Sequence, residues 1–340
     1  MNKIKRLNVF RQRRVLIVGA AAIPALAWAG ALHAQQPSKV WRVGFLAQRA
    51  FESPFSADSY SEFVKGMAAL GYVDGKNLKI EWRSAEGKIE RLPALAAELV
   101  RLNPDVIVVV GAPSTRAVQQ LTTNIPIVMA SVGDPVGQGL IKSLARPGGN
   151  TTGMSNLNLD LGSKRLEMIL AVVPKLTRLA VLVNPDNRSG AALIANIQPA
   201  AQKIGVKLFS IEVRAPGEIN RAFASMVQQK IEAVIVAQDP LLIQERRLIA
   251  ELTIKYRLPS ISGYREYADA GGLMSYGQDL GDLYNRSATH VDKIFKGVKP
   301  SDIPVEQPIK FDMVFNMKTA KALGLKPPPV IMVQATKVIE

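Results

Sequence analysis

The sequence has 340 residues, 48% apolar and 21% charged, which is chain enough for two globular domains and excludes a disordered protein. It has no cysteine and only two histidines, His33 and His290, so disulfide frameworks, Ser-His or Cys-His nucleophiles and histidine-zinc centres have almost nothing to build on. The formal charge of +15 is not gathered into a basic block with interleaved aromatics, which leaves nucleic-acid binding without support.

The chain opens on a leader pattern. Lys3, Lys5, Arg6, Arg11, Arg13 and Arg14 come with no acid, residues 15–32 are almost wholly apolar, and Ala31-Leu-His-Ala34 supplies a small-x-small site. This predicts a cleaved secretory signal, cut near Ala34, and a periplasmic protein. A membrane anchor is the alternative, but Pro24 and Gly30 interrupt the run, which is at the short end of the roughly 17–25 residues needed to span. Arg13-Arg14 leaves the general or twin-arginine export route open. Without the leader, 37 basic residues face 28 acidic ones, a modest surplus that would favour an anionic ligand or an acidic partner if it is more than a solvated surface.

From residue 40 the pattern alternates short apolar strands with amphipathic helices. Val40–Leu46 reads as a strand and Ser56–Gly71 as a helix, with Phe63, Met67 and Leu70 on one face. Leu78–Trp82 is a strand, Ile89–Leu102 a helix ending before Pro104, and Asp105–Val110 a continuous apolar strand of the kind covered on both faces. Pro113–Leu121 reads as a helix and Ile125–Ala130 as a strand. After a break at residues 146–150 the rhythm restarts with a helix at Leu157–Val173, a strand at Arg178–Val183 and a helix at Ala191–Ile204. A strand at Lys207–Val213, a helix at Ile219–Gln229, a strand at Ala233–Ala237, a helix at Leu241–Tyr256 and a strand at Leu258–Ser262 follow. The βαβα order predicts an α/β protein of two doubly wound, Rossmann-like lobes with parallel sheets facing across a cleft; a single sheet of ten or more strands would be unusual. His290 falls in a helical stretch and reads as a surface or half-buried residue.

In such folds ligands sit beyond the carboxyl ends of strands, where helix amino termini point. The strand ends carry Gln48; Pro113, Ser114 and Thr115; Ser131 and Asp134; Ser155; Asn184; Gln238 and Asp239; Tyr264; and, further on, Tyr276. Taken singly, the hydroxyls and carboxylates read as helix caps or turn residues. Their convergence on two lobes makes the set a candidate binding site, with hydroxyls and free amides suited to a carboxylate, Asp239 to an ammonium, and Tyr264 and Tyr276 to an apolar or aromatic body. GxGxxG after a strand and the P-loop pattern are absent, and Gly133–Gly139 fits neither. No cofactor, metal site or catalytic group is expected.

VGFL at Val43, the run GMAALGYVDGKNLKIEWRSAEGK from Gly66, PDVIVVVGAPST, NIPIVMASVGDPVGQGL, LARPGGNTTGMSN, AVLVNPDN and FKGVKPSDIPVE resemble the substrate-binding proteins of ABC transporters in the TrpX-like group, over nearly all of residues 40–325. The resemblance implies the type I periplasmic binding protein fold. It places residues 40–153 with about 276–306 in one lobe, and 154–275 with about 307–340 in the other. The crossings would lie near Gly153, near Gly272–Gly277 and near Val305–Phe311, with a helix at Leu280–Gly297 returning to the first lobe. Ser155, Asn184 and Asp239 match the group's binding positions, Pro113–Thr115 matches loosely, and Gln238 and Pro240 replace the neighbours of Asp239. The resemblance implies a monomeric receptor for an amino acid or a small aromatic or other carboxylate. It would serve a separately encoded permease and ATPase and touch the membrane only through that permease. A ligand sensor of the same fold is the alternative, and a periplasmic α/β enzyme the third reading.

Overall fold

A computed structural model describes residues 39–51, 59–157 and 161–340 of the chain. The expected leader lies outside them, as do residues 56–58 of the first expected helix and 158–160 of the helix expected from Leu157. Residues Val40–Glu340 form one compact unit, built as two doubly wound lobes on two sheets.

The first sheet contains β1 (Trp41–Ala47), β2 (Leu78–Ser84), β3 (Val106–Val110), β4 (Ile127–Gly133) and β5 (Thr151–Asn156), all parallel, in the order β2-β1-β3-β4-β5. Alternation along the strands decides what packs where. Val106, Val108, Val128 and Ala130 join the layer of α1 (Ser61–Ala69), through Phe63 and Met67. Ile107, Val109, Ile127 and Met129 face the other way, onto α2 (Leu92–Arg101) and α3 (Ala112–Gln119). With both faces covered, β3 can be apolar throughout.

The second sheet contains β6 (Arg178–Val183), β7 (Lys207–Glu212), β8 (Ala233–Val236), β9 (Ser260–Ser262), β10 (Met274–Gln278), β11 (Phe311–Asn316) and β12 (Lys337–Ile339), in the order β12-β11-β10-β9-β8-β6-β7. It is flanked by α4 (Gly162–Val172), α5 (Arg188–Lys203), α6 (Ile219–Gln228), α7 (Pro240–Gln244), α8 (Arg246–Lys255), α9 (Arg265–Asp269), α11 (Met317–Leu323) and α12 (Pro329–Gln334). The sheet is not wholly parallel: β11 runs antiparallel to β10.

The chain crosses between sheets after Asn156, between Gln278 and Leu280, and between Val305 and Phe311. The first two crossings fall just beyond Gly153 and Gly272–Gly277, because β5 and β10 occupy those segments. The three run side by side. Leu157 N donates to Gln278 Oε1 (3.2 Å), Asp279 N to Lys310 O (3.1 Å), Ser155 N to Glu306 O (2.8 Å) and Glu306 N to Gly153 O (2.9 Å). After the second crossing α10 (Leu280–Phe295) returns to α1 through Tyr284, Ala288, Val291 and Phe295. Gly66 is the contact point: a Cβ there would stand 2.7 Å from Asn285 O, so only a residue without one lets the helices approach so closely.

Several sequence expectations are corrected. β5 replaces a stretch read as a break leading into a helix; its polar Thr-Thr-Gly-Met-Ser-Asn sequence is buried by its neighbours rather than by its own apolarity. The helix expected at Leu241–Tyr256 divides at Glu245 into α7 and α8. His290 is fully buried on α10, not at the surface, because its ring faces the third crossing.

Candidate ligand-binding site

Between the two sheets lies a cavity of about 960 Å³, within the range of small-molecule sites, roughly 300–1,000 Å³. Its first wall is made where β1, β3 and β4 end: Gln48 and Arg49, then Gly111 to Pro113 opening α3, then Ser131 and Asp134. The register shifts between β3 and β4 at Val109/Val110 and between β4 and β5 beyond Met129. Such irregularities re-aim side chains, and here Ser131 lines the cavity while its Oγ accepts from Asn156 Nδ2 (3.1 Å). The second wall carries Arg165 from α4, Asn187 and Ser189 at the start of α5, Gln238 and Pro240 after β8, and Tyr264 after β9. Tyr60, Leu280 and Tyr284 add apolar surface.

Of the residues put forward from the sequence, Gln48, Pro113, Ser131, Asp134, Gln238 and Tyr264 stand on the cavity wall. Gln48 also ties β1 to β3, its Nε2 donating to Val110 O (2.9 Å). Ser114, Thr115, Ser155, Asn184, Asp239 and Tyr276 are not among the wall residues. Thr115 turns its hydroxyl back onto Gly111 O (2.9 Å), as a threonine one turn into a helix can. Ser114 Oγ is buried without a hydrogen-bond partner. Ser155 is buried in β5, and Tyr276 packs on the second-lobe core while its carbonyl serves Arg165. Asn184 Oδ1 accepts from Asp186 N (3.1 Å) in an Asx turn.

Asp239 is the amino-terminal cap of α7. Its Oδ1 accepts from Leu241 N (2.8 Å) and Leu242 N (3.3 Å), and its Oδ2 from Asn187 Nδ2 (2.8 Å). Burial raises its pKa, and the bonds from Asn187 and the α7 amides pull the other way without cancelling the rise. The acid suited to an ammonium is therefore committed to the local backbone.

Sequence reasoning left Arg165, Tyr60 and Tyr284 out of the site. Arg165 carries the most information. It is 1% exposed, its Nε donates to Tyr276 O (2.9 Å) and its Nη2 to Gln238 Oε1 (3.0 Å). Burial pulls its pKa down to about 10, which still leaves it charged at neutral pH. A signal for it existed: Arg165, Met168, Ile169 and Val172 fall at i, i+3, i+4 and i+7, so a guanidinium shares the apolar stripe of its helix. Arg49, beside Gln48 but outside the candidate set, stacks over Tyr60 with Cζ 4.4 Å from the ring centre, and its Nη2 donates to Ser59 Oγ (2.9 Å). Tyr60 and Tyr284 pack with ring centres 5.0 Å apart, and burial pushes the phenols of Tyr264 and Tyr284 up from their ordinary pKa. The deep wall is thus cationic and aromatic, and among the described residues no group of three His, Cys, Asp or Glu side chains is placed to hold a metal ion.

The site has relatives. A "Tyrosine-binding protein" of Clostridioides difficile (strain R20291) is 28% identical over 276 residues, 81% of this chain and 79% of that one. An ABC domain from Streptococcus pneumonia solved in complex with L-Trp superposes with a TM-score of 0.80 at 26% identity, over 88% of this chain and 99% of that one. A ligand-free, open substrate-binding protein with adhesive properties from Clostridium difficile, at the same identity and coverage, superposes with a TM-score of 0.64. The sequence profile of the family described as ABC transporter substrate binding protein matches residues 49–339. The chain belongs to that family.

Proposed function

We propose that this protein is an extracytoplasmic solute receptor that closes its two lobes over an amino acid or a small aromatic or other carboxylate and delivers it, unchanged, to a separately encoded permease and ATPase. Its leader would be removed near Ala34 on export to the periplasm, and it would act as a monomer. The observation that carries the reading is the cavity itself. Its walls are the strand ends of two sheets joined by three adjacent crossings, so a ligand touching both walls stabilises the state in which they meet. The relatives named for tyrosine and solved with L-Trp support the ligand class. The better superposition on the L-Trp complex than on the open, ligand-free protein supports a closed arrangement of the lobes.

The test is a melting-temperature screen of the purified protein against amino acids, aromatic acids, other carboxylates and polyols, with mass spectrometry of each hit after incubation. A true ligand at a hundredfold excess over its Kd adds about 2.7 kcal/mol of stability and is recovered intact. A hit that is consumed would replace the receptor reading with an enzymatic one.

A further inference from the structure

We infer that the solute is larger than a free amino acid: it is dipeptide-sized, an aryl-bearing unit joined through a polar link to a second apolar unit that fills the far arm of the cavity. This rests on the reading of the cavity as a solute site.

The cavity extends well past its aromatic end. Tyr60, Leu280 and Tyr284 line it from the α1 and α10 side of the first sheet, in the layer that takes Val106 and Val108 from β3. Ile89, Leu92 and Ala117 line it too, and they belong to the opposite layer, with Ile107 and Val109. Alternate side chains of a strand face opposite ways, so the cavity runs over the strand ends from one face of the sheet to the other. An aryl ring lodged among the tyrosines occupies one end and leaves the other unfilled.

The far end is an apolar arm with walls from both lobes. Ile89, Leu92, Pro93 and Ala117 come from the first lobe; Ala192 and Leu193 on α5 and Ile243 on α7 come from the second. Leu92, Leu193 and Ile243 are buried although they stand on the wall, so the arm is a recess and not open surface. The lobes meet beside it: a Cβ on Gly87, ahead of α2, would stand 3.5 Å from Gln244 Oε1 at the end of α7. The whole cavity, about 960 Å³, has room for about thirty waters at ~30 Å³ each. That is about twice the number of non-hydrogen atoms in tyrosine or tryptophan. Apolar wall left wet by a small solute is surface that a second apolar group would take out of water.

Gln238 stands between the two ends and calls for a polar link. It packs against Gly263, next to Tyr264 of the aromatic end, and lies two residues ahead of α7, which carries Ile243. Its Nε2 is buried and has no hydrogen-bond partner, which is uncommon for a buried donor. The amide is held on its other side: Oε1 accepts from Arg165 Nη2 (3.0 Å), and a Cβ on Gly263 would stand 2.2 Å from Gln238 Cδ. A carbonyl oxygen in the middle of the solute is the acceptor that this positioned donor lacks.

Titration calorimetry on the purified protein tests this with L-tyrosine and two dipeptide series, in which glycine, alanine, valine or leucine precedes tyrosine or follows it. Every dipeptide keeps one ammonium and one carboxylate, so the series varies only the second apolar unit. In one of the two orders affinity is expected to exceed that of tyrosine by tenfold or more and to rise about fourfold for each carbon added, until the arm is full. Ala192→Phe, at a half-buried position on the arm, should abolish that rise. Tyrosine binding as tightly as every dipeptide, no rise with size in either order, or a rise that survives in Ala192→Phe each overturn the inference, and the wild-type series decides it even if the variant is unstable. Silence from all the dipeptides overturns it too. In that case a hit with tyrosine, another amino acid, a simple carboxylate or a polyol leaves the receptor reading standing and removes only the size assignment, whereas no hit there either removes both.

Discussion

At the scale of single residues, the site depends on what is missing as much as on what is present. Gly263 has no side chain because Arg165 and Gln238 fill the space a Cβ would take. Gly263→Ala is therefore expected to push the guanidinium and the amide off their positions. The overpacking should cost about 1–3 kcal/mol of stability and weaken solute binding by roughly tenfold, because two groups of the cavity wall are displaced. Thermal denaturation and calorimetry on one sample check both, and a folded Gly263→Ala protein with wild-type affinity would show that the pair does not hold the ligand. Asp239 makes the complementary point. An Asp-Pro step after a strand reads equally as a ligand group and as a helix cap, and sequence spacing has no means to choose. The backbone chose, since Leu241 N and Leu242 N at the start of α7 need an acceptor and the carboxylate is the one beside them.

At the scale of elements, strand entry is fixed by a polar clamp. Glu232, just before β8, accepts from Thr177 N (2.6 Å) and Arg178 N (3.0 Å) at the start of β6, so one carboxylate sets the register of two neighbouring parallel strands. Burial alone would raise its pKa, but the bonds from Thr177 and Arg178 outweigh it and hold the carboxyl below its ordinary range. A folded pKa below the unfolded one means stability that is present above the unfolded value and is lost as pH falls through the folded one. Glu232→Gln should cost about 1 kcal/mol at pH 7, solvent screening keeping the figure small, and the gap to wild type should close in acid. Denaturant titrations at neutral and acid pH read this directly; a gap that persists in acid would mean that packing, not charge, sets the cost. The same scale shows what the sequence disclosed. β3 and β6 announced themselves because a strand covered on both faces must be apolar throughout, and β6 runs over Arg178–Val183 as expected. β5 and β10 did not. Thr151–Asn156 and Met274–Gln278 carry too little apolar content, and their strand character comes from neighbours distant in sequence: β4 for one, β9 and antiparallel β11 for the other. Arg165 lay between these cases, its phase on the α4 stripe visible but its partners Tyr276 O and Gln238 Oε1 supplied by segments distant in sequence.

At the scale of the whole molecule, the two lobes communicate through three crossings, and a single imidazole guards one of them. His290, on α10 of the first lobe, is the only histidine among the described residues. It is fully buried, its Nδ1 3.3 Å from Arg286 O and its Nε2 3.4 Å from Pro304 O, just ahead of the third crossing. A neutral ring has one N–H, so at most one of these contacts is a hydrogen bond at a time. Burial lowers its pKa despite the carbonyls of Arg286 and Pro304 and the carboxylate of Glu306, 3.9 Å away, which favour the charged ring; Lys293 opposes it. Unfolded histidine titrates near 6.5. Above that value both states are neutral and His290 contributes nothing to pH dependence. Below it the unfolded chain takes up a proton that the folded protein resists, so stability falls as pH drops from about 6.5 until the folded pKa is reached. Glu306 acts in a different window. Burial would raise its pKa, but Arg286, His290 and Lys293 hold it low, so its contribution is lost only at pH below the ordinary carboxylate range. Between pH 7 and 5 the melting temperature should therefore fall, and His290→Gln should flatten that slope while leaving the steeper loss in stronger acid. Because the ring stands buried between α10 and the segment that leads into β11, the desolvation that disfavours its charge is relieved when this seam admits water. The same acidification should weaken solute binding in the wild type more than in His290→Gln, and parallel slopes in the two proteins would mean that the seam and the cavity are not coupled.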